Sequence, residues 1–281
     1  ESNPIFKKNT NFDGALAFDK IQSNHFLPAI EGSIKMAKIL IEEIEFSSDT
    51  PTFKNTILAL EDASEYLDKA ASAYYHLFSS EAGAEIESLS QKISPMLADF
   101  SNDIYLNEVI FDKISEIENN CNHNTKEEKR LIKVYFRRFV RNGANLDTEQ
   151  KEKLREIDSK LSSLSPQFSS NVRKSTNDFE LWINDEKDLK GLPQIAIDTA
   201  SEAAARKGKE SQWLFTLQFP SMLPIMKFLE NRDLRKKMSN AFTQKCLNDK
   251  FDNSEIIKKI VKLRHERAAL LGYRNYAAYI L

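Results

Sequence analysis

The pattern with the most pointed chemistry is His265-Glu266-Arg267-Ala268-Ala269. A zinc hydrolase places His-Glu-x-x-His on a helix so that both imidazoles reach one metal ion and the glutamate serves as base. The fifth position here is Ala269, so the second imidazole is missing. His25, His76 and His123 are isolated in sequence and fall mostly in different expected elements, and His265 reads as an ordinary helix residue. Cys121 and Cys246 fit no metal-type spacing and read as two free thiols. The serine-rich SSLSPQFSS has no accompanying histidine to activate a hydroxyl, and no glycine-rich phosphate loop follows the two strand candidates, 179–184 and 213–219. The many Asp and Glu residues lie on amphipathic helices, where their usual place is a solvated face, and Trp182 and Trp213 read as core. The residues themselves therefore assign no catalytic position and no metal ligand, and substrate-binding residues stay unknown.

One basic stretch needs a separate reading. Lys129, Arg130, Lys133, Arg137, Arg138 and Arg141 alternate with Tyr135, Phe136 and Phe139, a mixture that can line a nucleic-acid surface. The aromatics recur at a helical spacing suited to a core, and several cations sit near a helix C-terminus, where the dipole favours them. The core reading is the stronger. Across the 281 residues, 40 Lys and Arg face 42 Asp and Glu, so no global field draws in nucleic acid or an anionic membrane. No apolar run approaches the roughly 18 residues that would span a bilayer, and no signal peptide is present, so the chain reads as soluble. The compartment is left between cytoplasm and periplasm.

The elements that must position any site read as helices. Glycine is scarce, 7 residues of 281, which favours long helices over tight turns. The stretch 147 to 193 looks like the element around which the chain is built. It opens as a rod in which Leu154, Ile157, Leu161, Leu164, Phe168 and Val172 share one face, and Pro166 predicts a bend. Ahead of it, helices are expected after Ser23 with Pro28 in the first turn, from 52 to 80, from 84 to 105 with a kink at Pro95, and from 108 to 118. Thr125 and Glu128 form a capping box for the basic helix, which stops at Gly143, and Asp147 with Gln150 repeats the start signal. Residues 1–22, with Pro4, Asn9, Asn11 and Gly14, read as an extended arm.

After the rod, 179–184 and 213–219 are the strand candidates and could pair; an alanine-rich helix lies between them, and further helices follow Pro220. The fold class is thus all-α, mainly long and antiparallel helices, with a minor two-stranded β element. The chain divides into an N-terminal helical subdomain, 1–146, and a second part, 147–281, holding the rod, the β element and the following helices. The start at Glu1 and the apolar end YAAYIL read as cuts, with Tyr276, Tyr279, Ile280 and Leu281 expected to pack against residues outside this sequence.

Several segments in order resemble a known family. HFLPAI (25–30), PTFKNTILALE (51–61), FVRNGANL (139–146), LSSLSPQFSSNV (161–172), DLKGLP (188–193), WLFTLQFPSMLPIM (213–226), NRDLRKKM (231–238) and FDNSEIIKKIVKLRHERAALLGYRNYAAY (251–279) look like the N-terminal part of the zinc oligopeptidases, the family of oligopeptidase A, thimet oligopeptidase and bacterial peptidyl-dipeptidase. The resemblance implies two helical lobes facing a channel that admits short peptides, with this chain supplying a wall of it. The family's His-Glu-x-x-His helix, third ligand and assisting tyrosine and histidine all fall beyond the matched region. No catalytic or metal residue carries over, and the zinc catalytic domain is expected beyond residue 281.

For the parent protein the resemblance implies a zinc-dependent peptidase. The N-terminal run NPIFKKNTNFDGALAFDKI and the run KGKESQWLFTL lean towards a peptidyl-dipeptidase that releases C-terminal dipeptides, while LRHERAALLGYRNYA also fits an oligopeptidase A-like endopeptidase. The segment alone is expected to hold no zinc and to be inactive, with the C-terminal catalytic domain of the same chain and short peptides as its partners. The reading of another class is a stand-alone helical scaffold or interaction module.

Overall fold

The computed structural model describes residues 3–7, 15–80 and 83–281. The fold is helical with one small sheet. The chain forms two compact units, one of residues 1–166 with 262–281, the other of residues 167–261. The subdivision read from the sequence, 1–146 and 147–281, follows helix-end signals, whereas these units divide inside two helices.

In the first unit, helices α1 (Ser23–Phe46), α2 (Ala59–Ala63), α3 (Glu65–Ser80), α4 (Ala84–Tyr105), α5 (Glu108–Asn119) and α6 (Lys126–Arg141) supply one core. Its centre includes Phe26, Ile30, Ile57, Tyr74, Ile93, Ile110, Ile132 and Phe139, none more than 2 % exposed. The expected stripe of α1 is buried at Phe26, Ile30, Ala37, Ile41 and Ile44, because a 3.6-residue repeat returns these positions to one face. Pro28 sits in the second turn of α1, since helical geometry already begins at Ser23, where the Gln22 N–H donates to His25 Nδ1 at 2.9 Å. Of the expected N-terminal arm, Pro4–Phe6 and Phe18–Lys20 are single helical turns and Ile5 is wholly buried in the core. Asn9, Asn11 and Gly14 lie outside the described residues.

The single helix expected from 52 to 80 is broken. It opens in wide π-type turns, Phe53–Leu58, after a reciprocal cap in which the Thr52 N–H donates to Asn55 Oδ1 (2.7 Å) and the Asn55 N–H to Thr52 Oγ1 (3.1 Å). At Ser64 the N–H turns to the Glu61 carbonyl three residues back, which tightens the backbone between α2 and α3. Ile57, Leu60, Leu67 and Tyr74 remain buried on either side of the break, so the apolar spacing gives no sign of it.

The capping signals hold. The Thr125 N–H donates to Glu128 Oε2 at 2.8 Å and the Glu128 N–H to Thr125 Oγ1 at 3.2 Å. Gly143 ends α6 at φ +99°, a conformation that a side chain strains. Asp147 Oδ1 then accepts from the Gln150 N–H at 2.8 Å and starts α7 (Thr148–Asp178). This is the rod, and it corrects the expectation that the fold is built around it. Only Leu154 and Ile157 of its apolar stripe are buried, while Leu161, Leu164, Phe168 and Val172 are half-exposed. Neither core cluster contains any of the six. The physical reason is composition: six large apolar residues among 31 make a stripe too narrow to organise a core. The helix continues through Pro166, and the division between the units falls there.

In the second unit, β1 (Leu181–Ile183) and β2 (Trp213–Phe215) pair antiparallel, with Leu181 opposite Phe215 and Ile183 opposite Trp213, inside both expected stretches. Helix α8 (Gln194–Ala205) packs across β2, and its Ala200 and Ala204, at most 3 % exposed, permit the close approach. Helices α9 (Phe219–Phe228) and α10 (Arg232–Thr243) close a core of Leu181, Ile183, Phe215, Met222, Ile225 and Met238. Ahead of α8, Gly191 has φ +94°, and a Cβ there would lie 2.2 Å from the Phe228 carbonyl oxygen. Helix α11 (Ser254–Leu270) follows a loop in which Cys246 and Asn248 take left-handed conformations. Gly272 (φ +82°) ends its turn, and α12 (Tyr276–Ile280) is the last element.

Candidate functional site

The residues weighed for catalysis do not converge. His265 and Glu266 are exposed on α11, with Glu266 Oε1 3.8 Å from Lys262 Nζ. His25 serves the N-terminus of α1, while His76 and His123 are exposed on α3 and in the turn before α6. Among the described residues no group of three or more His, Cys, Asp and Glu is placed to hold a metal ion. These side chains do not fit zinc. Cys121 and Cys246 are free, and burial raises the Cys246 thiol above its ordinary pKa.

Other stretches resolve into structural roles. Ser162 Oγ donates to the Ser159 carbonyl at 2.7 Å, and Ser175 Oγ donates to Asp249 Oδ2 at 2.7 Å. On α6, Tyr135 and Phe139 are buried, and Tyr135 Oη donates to Glu61 Oε1 at 2.6 Å. The aromatics of the basic stretch thus face the core. Trp182 and Trp213 are half-buried at the sheet; Trp182 Nε1 donates to Glu180 Oε2 at 2.9 Å, and Lys209 Nζ lies 4.1 Å from the Trp182 ring centroid. No helix among the described residues is long and apolar enough to cross a membrane.

Two arrangements can do something. In the second unit a cleft of about 410 Å³ lies between α8, β2 and α9, lined by Ile195, Thr199, Ala203, Phe215, Pro220 and Pro224 among others. The Thr199 hydroxyl donates to the Ile195 carbonyl and the Ser221 hydroxyl accepts the Thr216 N–H, so the polar groups of its wall are already engaged. Such a cleft can take up an apolar side chain; none of its lining residues can supply an acid or a base.

The other arrangement is a charged and aromatic cluster in the first unit. Arg267 Nε donates to Asp158 Oδ1 at 2.6 Å, and Nη2 reaches Asp158 Oδ2 and Asn142 Oδ1, each at 3.4 Å. The two side chains of this ion pair are only 12 % and 15 % exposed. Burial by itself would lower the Arg267 pKa, but the hydrogen bond and charge of Asp158 outweigh it and hold it above the ordinary value. The Arg267 guanidinium lies 5.1 Å from the Tyr279 ring centroid and that of Arg141 4.9 Å, while Arg141 Nη2 donates to the Tyr279 carbonyl.

Tyr276 and Tyr279, expected to pack against residues outside the sequence, are therefore already engaged here: Arg264 lies 5.0 Å from the Tyr276 ring and the two tyrosine rings are 6.0 Å apart. Reading by residue type missed this cluster, although a signal was present. Asp158 follows Leu154 by one helical turn, and Arg267 follows Ile260 by two, so each charge sits on a burial stripe and calls for a partner.

The sequence matches a defined class of protein. Residues 225–281 match the model of peptidase family M3. Over 280 residues the chain is 31 % identical to a dipeptidyl carboxypeptidase of Escherichia coli (strain K12), covering 99 % of this chain and 41 % of that protein. It is 32 % identical to an oligopeptidase A of Haemophilus influenzae and 31 % identical to a probable cytosolic oligopeptidase A of Arabidopsis thaliana, covering 98 % of this chain and 40 % of each relative. The resemblance to the zinc oligopeptidases therefore stands over nearly the whole chain. The chain spans about two fifths of the length of the curated relatives it matches.

Proposed function

We propose that this chain is the N-terminal, channel-wall part of a zinc-dependent peptidyl-dipeptidase that hydrolyses short peptides and releases C-terminal dipeptides. The observation that carries the reading is the 31 % identity to a dipeptidyl carboxypeptidase along 99 % of the chain, reached within 41 % of that relative. The helical units fit a supporting role in offering an apolar cleft between α8, β2 and α9. Zinc and the hydrolytic residues then belong to the C-terminal part of the same protein, where the metal would polarise the scissile carbonyl and acidify a bound water.

The 32 % identity to an oligopeptidase A favours a second reading, an endopeptidase built on the same helices. One experiment separates them. The natural-length protein is purified, its zinc measured, and a peptide with a blocked N-terminus digested and analysed by mass spectrometry. Successive loss of C-terminal dipeptides supports the first reading, and a single internal cut supports the second. A natural-length protein that binds no zinc and cleaves nothing overturns both and leaves a helical scaffold or interaction module.

A further inference from the structure

Helix α12 is five residues long, and none of its residues is buried. So short a helix does not persist on its own helix propensity, since isolated helices below about 12 residues are marginal in water. Two local devices shape it: Asn275 Oδ1 accepts the Ala278 N–H at 2.9 Å, and the Tyr273 N–H reaches back to the Ala268 carbonyl at 2.8 Å. The longer-range hold comes from arginines. Arg141, at the end of α6, donates to the Tyr279 carbonyl and lies against both the Tyr279 and Tyr273 rings, at 4.9 and 5.7 Å. Arg267 lies against Tyr279 at 5.1 Å and is itself fixed by Asp158 and Asn142.

These partners come from distant parts of the sequence. Arg264, Arg267, Tyr276 and Tyr279 lie on α11 and α12. Arg141 and Asn142 lie at the end of α6 and Asp158 on α7. The cluster is thus a tie between the last two helices and two earlier ones, built from cation–π contacts and charge-assisted hydrogen bonds. Both kinds of contact are directional and strengthen with exclusion of water, so they set an orientation as well as a position.

We propose that Arg141 and Arg267, braced by Asp158 and Asn142, are positioning residues that clamp α12 by the ring and carbonyl of Tyr279 and thereby fix the path of the polypeptide that follows it into the zinc-binding part. The inference rests on the proposed function, which assigns that following part to catalysis. Its consequence is kinetic. Release of the clamp leaves substrate affinity and metal ligands in place but lets the reacting groups drift relative to the channel wall, and a misplacement of about 1 Å can cost about a hundredfold in rate.

The test uses Arg141→Met, which keeps volume and removes charge and donor, beside Arg137→Met, the same change at an exposed position of α6. In the 281-residue chain, hydrogen exchange of the α12 amides should quicken at least about tenfold in Arg141→Met and stay unchanged in Arg137→Met. In the natural-length protein, Arg141→Met should lower kcat about tenfold or more with KM and zinc content unchanged, and Arg137→Met should retain wild-type kcat. Unchanged exchange in Arg141→Met overturns the clamp. Faster exchange with wild-type kcat overturns the positioning role, as does an equal loss in Arg137→Met. A wild-type natural-length protein without zinc or peptidase activity overturns the proposed function and the positioning role with it, while the exchange measurement on the shorter chain still decides whether the clamp holds α12.

Discussion

Replacing Asp158 by alanine should be among the most damaging single changes in the first unit. Its carboxylate is 15 % exposed and meets the Arg267 guanidinium, 12 % exposed, through contacts of 2.6 and 3.4 Å. At an effective dielectric constant of about 20, two charges about 4 Å apart interact by about 4 kcal/mol. Removal of one partner also strands the other charge out of water, and breaking a buried pair costs about 3–5 kcal/mol in comparable cases. Asn142 Oδ1, a neutral acceptor at 3.4 Å, cannot replace the lost negative charge.

Urea unfolding followed by far-ultraviolet circular dichroism is the assay, with Asp158→Ala compared with the double variant Asp158→Leu/Arg267→Met. The single variant should lose about 3–5 kcal/mol, and the double variant should recover most of that loss, because apolar groups of similar volume leave no charge stranded. A loss below about 1 kcal/mol in the single variant would mean that the pair behaves as a solvated surface contact. That result, or a double variant as unstable as the single one, refutes the reasoning.

Other substitutions probe separate parts of the chain. Gly191→Ala should destabilise far more than Gly208→Ala: both glycines have positive φ, but the new Cβ at 191 would meet the Phe228 carbonyl oxygen at 2.2 Å, whereas nothing lies within 4 Å at 208, where only about 1–2 kcal/mol of left-handed strain applies. Equal thermal midpoints for the two variants would count against this. Asn253 is 1 % exposed and links its loop to the rod by accepting from Asn171 at 2.8 Å and donating to the Phe168 carbonyl at 3.1 Å. Asn253→Ala should therefore cost about 2–3 kcal/mol in chemical unfolding, the range for buried polar partners left unpaired.

The Asp103 carboxyl gives a pH signature. Partial burial alone would raise its pKa, but hydrogen bonds from Lys38 and Arg155 outweigh this and hold it below the ordinary carboxylate value. A lowered folded-state pKa stabilises the fold above the unfolded value near about 4 and loses that stabilisation as pH falls through the folded value. Denaturant midpoints of Asp103→Asn should accordingly change less than those of the wild type as pH falls below the unfolded value near about 4. Parallel acid limbs would show that Asp103 does not contribute.

Much of this protein was legible in order along the chain. The Thr125–Glu128 box, the stop at Gly143, the Asp147–Gln150 start and the two strand segments stand where local chemistry puts them. Each depends on residues three or four apart, or on a backbone conformation that one residue type permits, so neighbours in sequence suffice to decide it. Family likeness was legible for a related reason: it resides in ordered local segments.

Depth of burial and long-range partnership were decided only in three dimensions. The stripe from Leu154 to Val172 has helical spacing throughout, yet only Leu154 and Ile157 are buried, because periodicity selects a face and says nothing of what covers it. The break at Ser64 leaves the apolar spacing intact and is invisible to it. Arg267 meets Asp158 across 109 positions, and Arg141 meets Tyr279 across 138. An arginine is equally at home in solvent, on a ring or against a carboxylate, so its sequence position leaves the choice open; the packing of α6, α7, α11 and α12 within the first unit makes it.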